Sequence, residues 1–279
     1  MSSVVITPRS SAVAPSARSA LHALVLRGLL DARRAPLVWG APLGAMSALV
    51  VALYPSIRTS LANVVDDYPA GVKAAFGVTD LGSLESYLHV EMFSLMLPLA
   101  VAYFAMRCVA ASIAGAEEHG WLDTILSTPV ARRSLVAGAM TTTAILVASV
   151  LLVAGTLTAA AAALVGESLA LDRLAAALAG VWALALFFGA CAALASGLLH
   201  RSGPVLGTGG GLLGAMYLLD VLGKLADGAA ALRYASAFRY LGSPLLDGFD
   251  FGGFAVLLGA ALALTAAGAV FLDRRDLTG

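Results

Sequence analysis

The chain alternates between long apolar runs and short polar stretches. Six runs are long enough to cross a bilayer, since a spanning helix needs roughly 20 apolar residues at about 1.5 Å rise per residue. They cover residues 35–54, 92–114, 134–165, 174–199, 202–219 and 251–272. In lipid every backbone N–H and C=O must be satisfied within its own segment, so each run is predicted to be a helix and the fold to be all-α. The third run exceeds a roughly 30 Å hydrocarbon core, and we expect its helix to protrude into the cytoplasm.

The residues before the first run predict a helix of a different kind. Over residues 16–34, apolar side chains share one arc, and charged side chains share another. The apolar arc consists of Leu21, Leu24, Val25 and Leu29. Such a helix can lie in the headgroup plane, although a frayed leader with a few leucines is the alternative. Residues 1–34 are therefore predicted to be a cytoplasmic leader, and residues 35–279 a single six-span domain.

Composition supports a membrane protein. Hydrophobic residues make up 60% of the chain and charged residues 12%, with a mean hydropathy of +0.90, whereas about a quarter of residues in soluble domains are charged. The 17 basic and 17 acidic residues cancel, so we expect the lipid membrane as a partner and no nucleic acid. The first 20 residues lack the continuous apolar stretch of a cleaved signal peptide.

The distribution of Lys and Arg predicts the orientation. Eleven of the 17 basic residues fall on the side of the two termini, and six fall on the other side. Because cytoplasmic loops carry the excess of positive charge, both termini and the segment 115–133 are predicted to be cytoplasmic. Residues 55–90 and 220–250 then form the two longer external segments. The Ala- and Arg-rich usage suggests a high-GC bacterium, and the inner (plasma) membrane is the predicted location.

The segment 115–133 carries the clearest indication of function. Glu117 and Glu118 lie where the second helix is expected to leave the bilayer, and Gly120 permits a break. An apolar stripe at helical spacing follows, formed by Trp121, Leu122, Ile125 and Leu126. Water alone does not favour such a stripe, so it indicates a short helix that binds a groove on a cytoplasmic partner.

The end of this segment is a proline turn followed by a basic pair. Pro129 ends the short helix because it has no N–H to donate. Arg132 and Arg133 can pair with acidic groups or with lipid phosphates. The alternative is an ordinary cytoplasmic loop whose Trp and Leu side chains dip into the membrane interface.

These residues resemble a known family, the type-2, exporter-like permease subunits of ABC transporters. Family members carry the pattern E-E-x-G-[TS]-L-[ED]-x-L-L-[ST]-x-P-[VI]-x-R after the second span. The matching residues are Glu117, Glu118, Gly120, Leu122, Asp123, Ile125, Leu126, Ser127, Pro129, Val130 and Arg132. Trp121 stands where the family has Thr or Ser. The resemblance covers essentially the whole chain, including an element at 236–240 where Ala237 replaces the family's usual proline.

The resemblance implies a role for each part of the segment. The helix around Trp121 to Leu126 would be a coupling helix that docks on a separate ATPase, present in two copies, beside a second permease chain. The expected interface is Glu117, Glu118, Gly120, Trp121, Leu122, Asp123, Ile125, Leu126, Pro129, Arg132 and Arg133. ATP and Mg would be bound by the ATPase, since this chain has no GxxxxGK[ST] loop to hold phosphates. We therefore expect no cofactor in this chain.

Other candidates come from charges and glycines near the spans. Glu91, at the outer start of the second run, is the candidate for substrate binding or gating, because intramembrane charges are functional candidates by default. Asp220 and Lys224, at i and i+4, can form a local ion pair. The small-xxx-small pairs Gly207/Gly211 and Gly210/Gly214 predict close helix packing, within the chain or against a second copy.

Enzyme chemistry is not predicted. The four histidines lie at span ends or in loops without ligand spacing, so neither a metal site nor a catalytic residue is expected. No Gly-x-Ser-x-Gly turn occurs. Because the spans offer almost no fixed charge, export of a hydrophobic or amphipathic compound is the predicted task. The alternative is a non-transporting sensor or anchor that recruits a cytoplasmic protein through the same loop.

Overall fold

The structure, a computed structural model, describes residues 17–66, 83–118, 132–225 and 227–274. Within these ranges all regular secondary structure is helical, as predicted. The α-helices are α1 (Ala17–Asp31), α2 (Ala35–Asp66), α3 (Leu84–Leu88), α4 (Met96–Ser112), α5 (Ala114–Glu118), α6 (Arg132–Val165), α7 (Leu171–Leu198), α8 (Ser202–Leu225), α9 (Ala237–Leu241), α10 (Pro244–Asp247) and α11 (Phe251–Arg274). A π-helical turn, His89–Phe93, follows α3, and a 3₁₀ helix, Asp227–Ala235, follows α8.

Six spans are long and apolar enough to cross a membrane, which confirms the predicted number. They comprise the first part of α2, α4 with α5, and the helices α6, α7, α8 and α11. Helix α7 is central, because 72% of its apolar 18-residue stretch is buried in the bundle. The corresponding stretches of α8 and α11 are 22% and 28% buried. It packs against α4, α6, α8 and α11. The charge-free sequence of α7 after its first turn fits this fully enclosed position.

Several predicted span boundaries differ from the structure, including the end of the fifth span, which continues past residue 219 to Leu225. Helix α2 continues past Tyr54 to Asp66, through Pro55, so the predicted outer segment begins as helix. The second spanning helix starts at Met96 rather than at residue 92. Pro98 has no N–H and its ring disfavours a helical turn around residue 94, and the backbone accordingly breaks at Leu95 (φ −138, ψ −64).

The apolar arc of α1 packs on the start of α6. A Cβ added to Gly138 would lie 3.3 Å from Leu24 Cβ, and one added to Gly28 would lie 2.9 Å from Thr142 Cγ2. Leu26 and Leu30, outside the predicted arc, are exposed. Helix α6 has 34 residues, about 51 Å at 1.5 Å per residue, which exceeds a roughly 30 Å core. Its first turns support α1, so protein covers part of the arc.

Glycines allow close approach at two helix pairs. Gly44 of α2 lies against α6, where an added Cβ would be 2.9 Å from the Ala154 Cα. Gly268 of α11 lies against α7, where an added Cβ would be 3.0 Å from the Ala193 carbonyl oxygen. In lipid, helices associate largely through such close backbone packing. These glycines therefore join α2 to α6 and α11 to α7.

Candidate functional site

The two ends of the bundle differ in the charged and polar side chains that they carry. We call the end that carries α1, α5 and the close of α11 the loop end, because residues 119–131 connect α5 to α6 there. We call the opposite end, with α3, the 3₁₀ helix, α9 and α10, the cavity end. Each predicted functional residue that the structure describes can be assigned to one of these ends or to the face of α8.

The first side of the loop is fixed to α8. Glu118, the last residue of α5, accepts a hydrogen bond from the Ser202 backbone N–H (3.3 Å) and one from the Ser202 hydroxyl (2.9 Å). Ser202 is the first residue of α8, so a carboxylate satisfies the unpaired N–H groups and the positive dipole of this helix start. Glu117 is half-buried in the same short helix. Glu118 of the acidic pair therefore joins the start of the loop to the fifth span.

The second side of the loop is fixed to α11. Arg132 Nη1 donates to the Leu272 carbonyl oxygen at 3.0 Å, and Arg133 Nε lies 3.0 Å from Asp273 Oδ2. Both arginines begin α6, and both acceptors lie in the last turn of α11. The basic pair, predicted to bind acidic groups or phosphates, thus ties the end of the loop to the sixth span.

The centre of the predicted coupling interface lies outside the described residues. It comprises Gly120, Trp121, Leu122, Asp123, Ile125, Leu126 and Pro129. The predicted short helix among these residues stays a prediction. The described flanks of this segment join four helices, α5 and α8 at its start and α6 and α11 at its end.

Glu91 lies at the cavity end, in the π-helical turn His89–Phe93, and its side chain is exposed. Burial, together with the charge of Glu91, raises the pKa of Tyr87. Among the described residues that line the cavity, Glu91 does not occur. The structure therefore does not bring this candidate together with Asp220 and Lys224.

A polar cavity of about 310 Å³ opens at the cavity end. Asp220, in the last turns of α8, is only 3% exposed. Its carboxylate lies 2.8 Å from Lys224 Nζ and accepts a hydrogen bond from Arg233 Nε at 3.1 Å. The predicted i, i+4 pair forms, and an arginine from the 3₁₀ helix adds a second cation.

His89 faces the same cavity from the π-helical turn. Its side chain is 6% exposed, and its Nδ1 has no hydrogen-bond partner among the described residues. Burial and the positive charge of Lys224 lower its pKa to about 4. At neutral pH the imidazole is therefore uncharged, with one ring nitrogen able to donate and the other able to accept.

Two of the four residues Asp220, Lys224, Arg233 and His89 were predicted to interact from the sequence. The pair Asp220 and Lys224 could be read from the four-residue spacing on one helix. Arg233 and His89 could not, because only the tertiary packing of the 3₁₀ helix and the π-helical turn brings them to α8. The run of small polar and charged residues at 220–250 was a signal that this external segment held more than a connection.

The glycine face of α8 has no neighbour among the described residues. A Cβ added at Gly207, Gly210, Gly211 or Gly214 would meet nothing within 4 Å. Close packing within the chain, one of the two predicted possibilities, is thus not made at these glycines by any described residue. The glycines that do pack, such as Gly44 and Gly268, lie on other helices.

Six apolar spans, with charged helix connections at one end and a polar cavity at the other, are the architecture of a multi-pass membrane protein. Residues 23–272 match the family model of the multidrug efflux system permease Rv1217c, C-terminal domain. The chain belongs to this family and is a transmembrane efflux permease. A comparison with curated proteins gives no match.

Proposed function

We propose that this chain is the permease subunit of an ATP-driven exporter whose ATPase is a separate protein. Two ATPase copies bind ATP and Mg, and the chain itself performs no hydrolysis. The segment 115–133 docks on the ATPase through Trp121, Leu122, Ile125 and Leu126, in the bacterial inner membrane with both termini cytoplasmic. Export of a hydrophobic or amphipathic compound is the reaction that the complex drives.

The observation that carries this proposal is the fixing of both ends of the loop. Glu118 joins its start to α8, and Arg132 and Arg133 join its end to α11. A loop held on both sides transmits a push from a bound partner to several spans at once. These connections favour a loop that acts on the spans over one that only dips into the membrane interface.

A second permease chain completes the proposed complex. The open glycine face of α8 is the surface offered to it, because exposed small residues let another helix approach closely in lipid. The chain exposes most of α8, with only 22% of its apolar window buried. A pathway between two chains also suits a bundle whose own centre is filled by α7.

The first test is to purify the tagged chain from native membranes in mild detergent. The proposal expects a stoichiometric partner with a Walker-type lysine and vanadate-sensitive ATP hydrolysis. A clean, inactive chain, also found in lipid discs, would contradict it and favour the sensor or anchor alternative.

The docking surface has its own test. The double variant Leu122→Asp/Leu126→Asp is expected to lose at least about tenfold in ATPase association, since charges would replace an apolar contact. The matched control is Leu232→Asp, an exposed leucine of the 3₁₀ helix at the cavity end. Equal association of both variants with the ATPase would place the docking surface elsewhere. Unchanged thermal unfolding of the variants checks that the spans remain folded.

A further inference from the structure

The described residues that line the cavity carry one more positive than negative charge, and Asp247 is a further carboxylate near His89 outside the lining. Asp220 is the carboxylate of the lining, and Lys224 and Arg233 are its cations. His89 adds no charge at neutral pH, because burial and Lys224 lower its pKa to about 4. Salt screening is weak in such a partly buried site. The excess charge therefore favours an anionic group inside the cavity.

The cavity also offers hydrogen-bond donors that its own carboxylate does not use. Asp220 accepts from Arg233 Nε, while the two Nη groups of this guanidinium have no partner among the described residues. His89 Nδ1 is buried and equally without a described partner. A buried polar group without a hydrogen bond is costly. An oxyanion that accepted a hydrogen bond from His89 would remove that cost, and the partly exposed Arg233 lines the same cavity.

The walls beside these charges are apolar and aromatic. Phe93, Tyr217, Phe238 and Leu241 line the cavity, and the Tyr217 and Phe238 rings meet edge to face with centroids 5.4 Å apart. A volume of about 310 Å³ is at the lower end of the range for small-molecule sites. The cavity is thus lined by the cations Lys224 and Arg233 and by aromatic and aliphatic side chains.

We propose that this cavity binds the anionic head of an amphiphile, a phosphate or carboxylate, with its apolar body against Phe93, Tyr217 and Phe238. Lys224 and Arg233 supply charge, and His89 donates a hydrogen bond as a neutral imidazole. This chemistry is shared by an exported amphiphile and by an anionic lipid. As a statement about the exported compound it rests on the proposed function, whereas binding itself requires only this chain.

The test measures binding to the purified, delipidated chain in a neutral detergent at pH 7, without any ATPase. The probes are hexyl phosphate, hexyltrimethylammonium and hexyl glucoside, which share an alkyl body and differ in the charge of the head. Isothermal titration is expected to show saturable binding of hexyl phosphate alone. Since no ATPase is present, this result is independent of the proposed coupling.

Variants with opposite expected effects separate charge from misfolding. Lys224→Gln leaves Asp220 paired with Arg233 and removes the excess charge, so hexyl phosphate should bind at least about tenfold more weakly. Asp220→Asn raises the excess charge and should tighten binding severalfold. Arg239→Gln is the matched control, because this cation lies over the Tyr234 ring, 4.0 Å from its centroid, and does not line the cavity.

A second measurement, made with a lipid, distinguishes an anionic lipid from an exported amphiphile as the bound anion. Native mass spectrometry of the chain extracted with phosphatidylglycerol reports whether this lipid stays bound. Retention by the wild type, displacement by hexyl phosphate and loss in Lys224→Gln would assign the site to a lipid. Binding of hexyl phosphate at equal affinity with and without phosphatidylglycerol would assign it to a free amphiphile.

Three results would overturn the proposal. The first is equal binding of the three probes, and the second is unchanged affinity in Lys224→Gln. The third is a loss of affinity in Asp220→Asn as large as that in Lys224→Gln, with both variants folded by thermal unfolding. Each would mean that the charge of the cavity does not select the ligand.

Discussion

At the scale of single residues, His89 is a histidine that burial takes away from its ordinary protonation. The charges around it are the cations Lys224 and Arg233 and the carboxylates Asp220 and Asp247. Burial and the charge of Lys224 lower its pKa from 6.5 to about 4. The sequence shows His89 only as a histidine near a span start. Its burial depends on the π-helical turn and on helices far away in the chain, so local spacing could not predict it.

This lowered pKa predicts a loss of stability in mild acid. Between pH 6.5 and 4 the unfolded chain binds a proton at His89 and the folded chain does not, so stability falls as pH falls through this window. The full effect is roughly 3 kcal/mol, from about 1.36 kcal/mol per pKa unit. Thermal unfolding of the wild type and of His89→Phe in detergent should show it. We expect the wild-type midpoint to fall more steeply with acidification, and parallel curves would show that His89 titrates normally.

At the scale of helices, the sequence predicted the number and type of the spans, because runs of this length have one solution in lipid. It misplaced the start of the second span, since Pro98 breaks the helix within an uninterrupted apolar run. It also left 220–250 as an external segment without assigning helices. The short helices α9 and α10 there depend on tertiary packing rather than on their own propensity.

The glycine contacts give a prediction at the same scale. Gly44→Leu in α2 should destabilise the single chain by about 1–3 kcal/mol, because its side chain would overlap the backbone of α6 at Ala154. Gly211→Leu in α8 is the matched control, with open space in the single chain. Thermal unfolding of the monomer in detergent measures both. A comparable loss in Gly211→Leu would mean that α8 packs within the chain, whereas reduced association with a second chain alone would support the proposed interface.

At the scale of the whole molecule, the two ends of the bundle differ in their charged contacts around the central α7. At the loop end, charged side chains join neighbouring helices. At the cavity end, Asp220 forms ion pairs with Lys224 and Arg233. The resemblance of 115–133 to a coupling loop was readable from the sequence, because its residues are contiguous. Its attachment to Ser202 and Asp273 was not, because each of these partners lies three spans further along the chain than the residue it contacts.

That attachment predicts how the loop and the sixth span move together. Arg133 and Asp273 are 76% and 33% exposed, so their pair contributes less than about 1 kcal/mol to stability, and Arg133→Asp should fold normally. On the proposed function, this variant should retain the bound ATPase but show reduced stimulation of ATP hydrolysis by a transported compound, because the push on the loop no longer reaches α11 directly. The exchange Arg133→Asp/Asp273→Arg should restore stimulation in lipid discs. If the single variant is impaired and the exchange does not restore stimulation of ATP hydrolysis, Arg133 acts on the ATPase itself. If the single variant is fully stimulated, the motion passes through α6 and α8 instead.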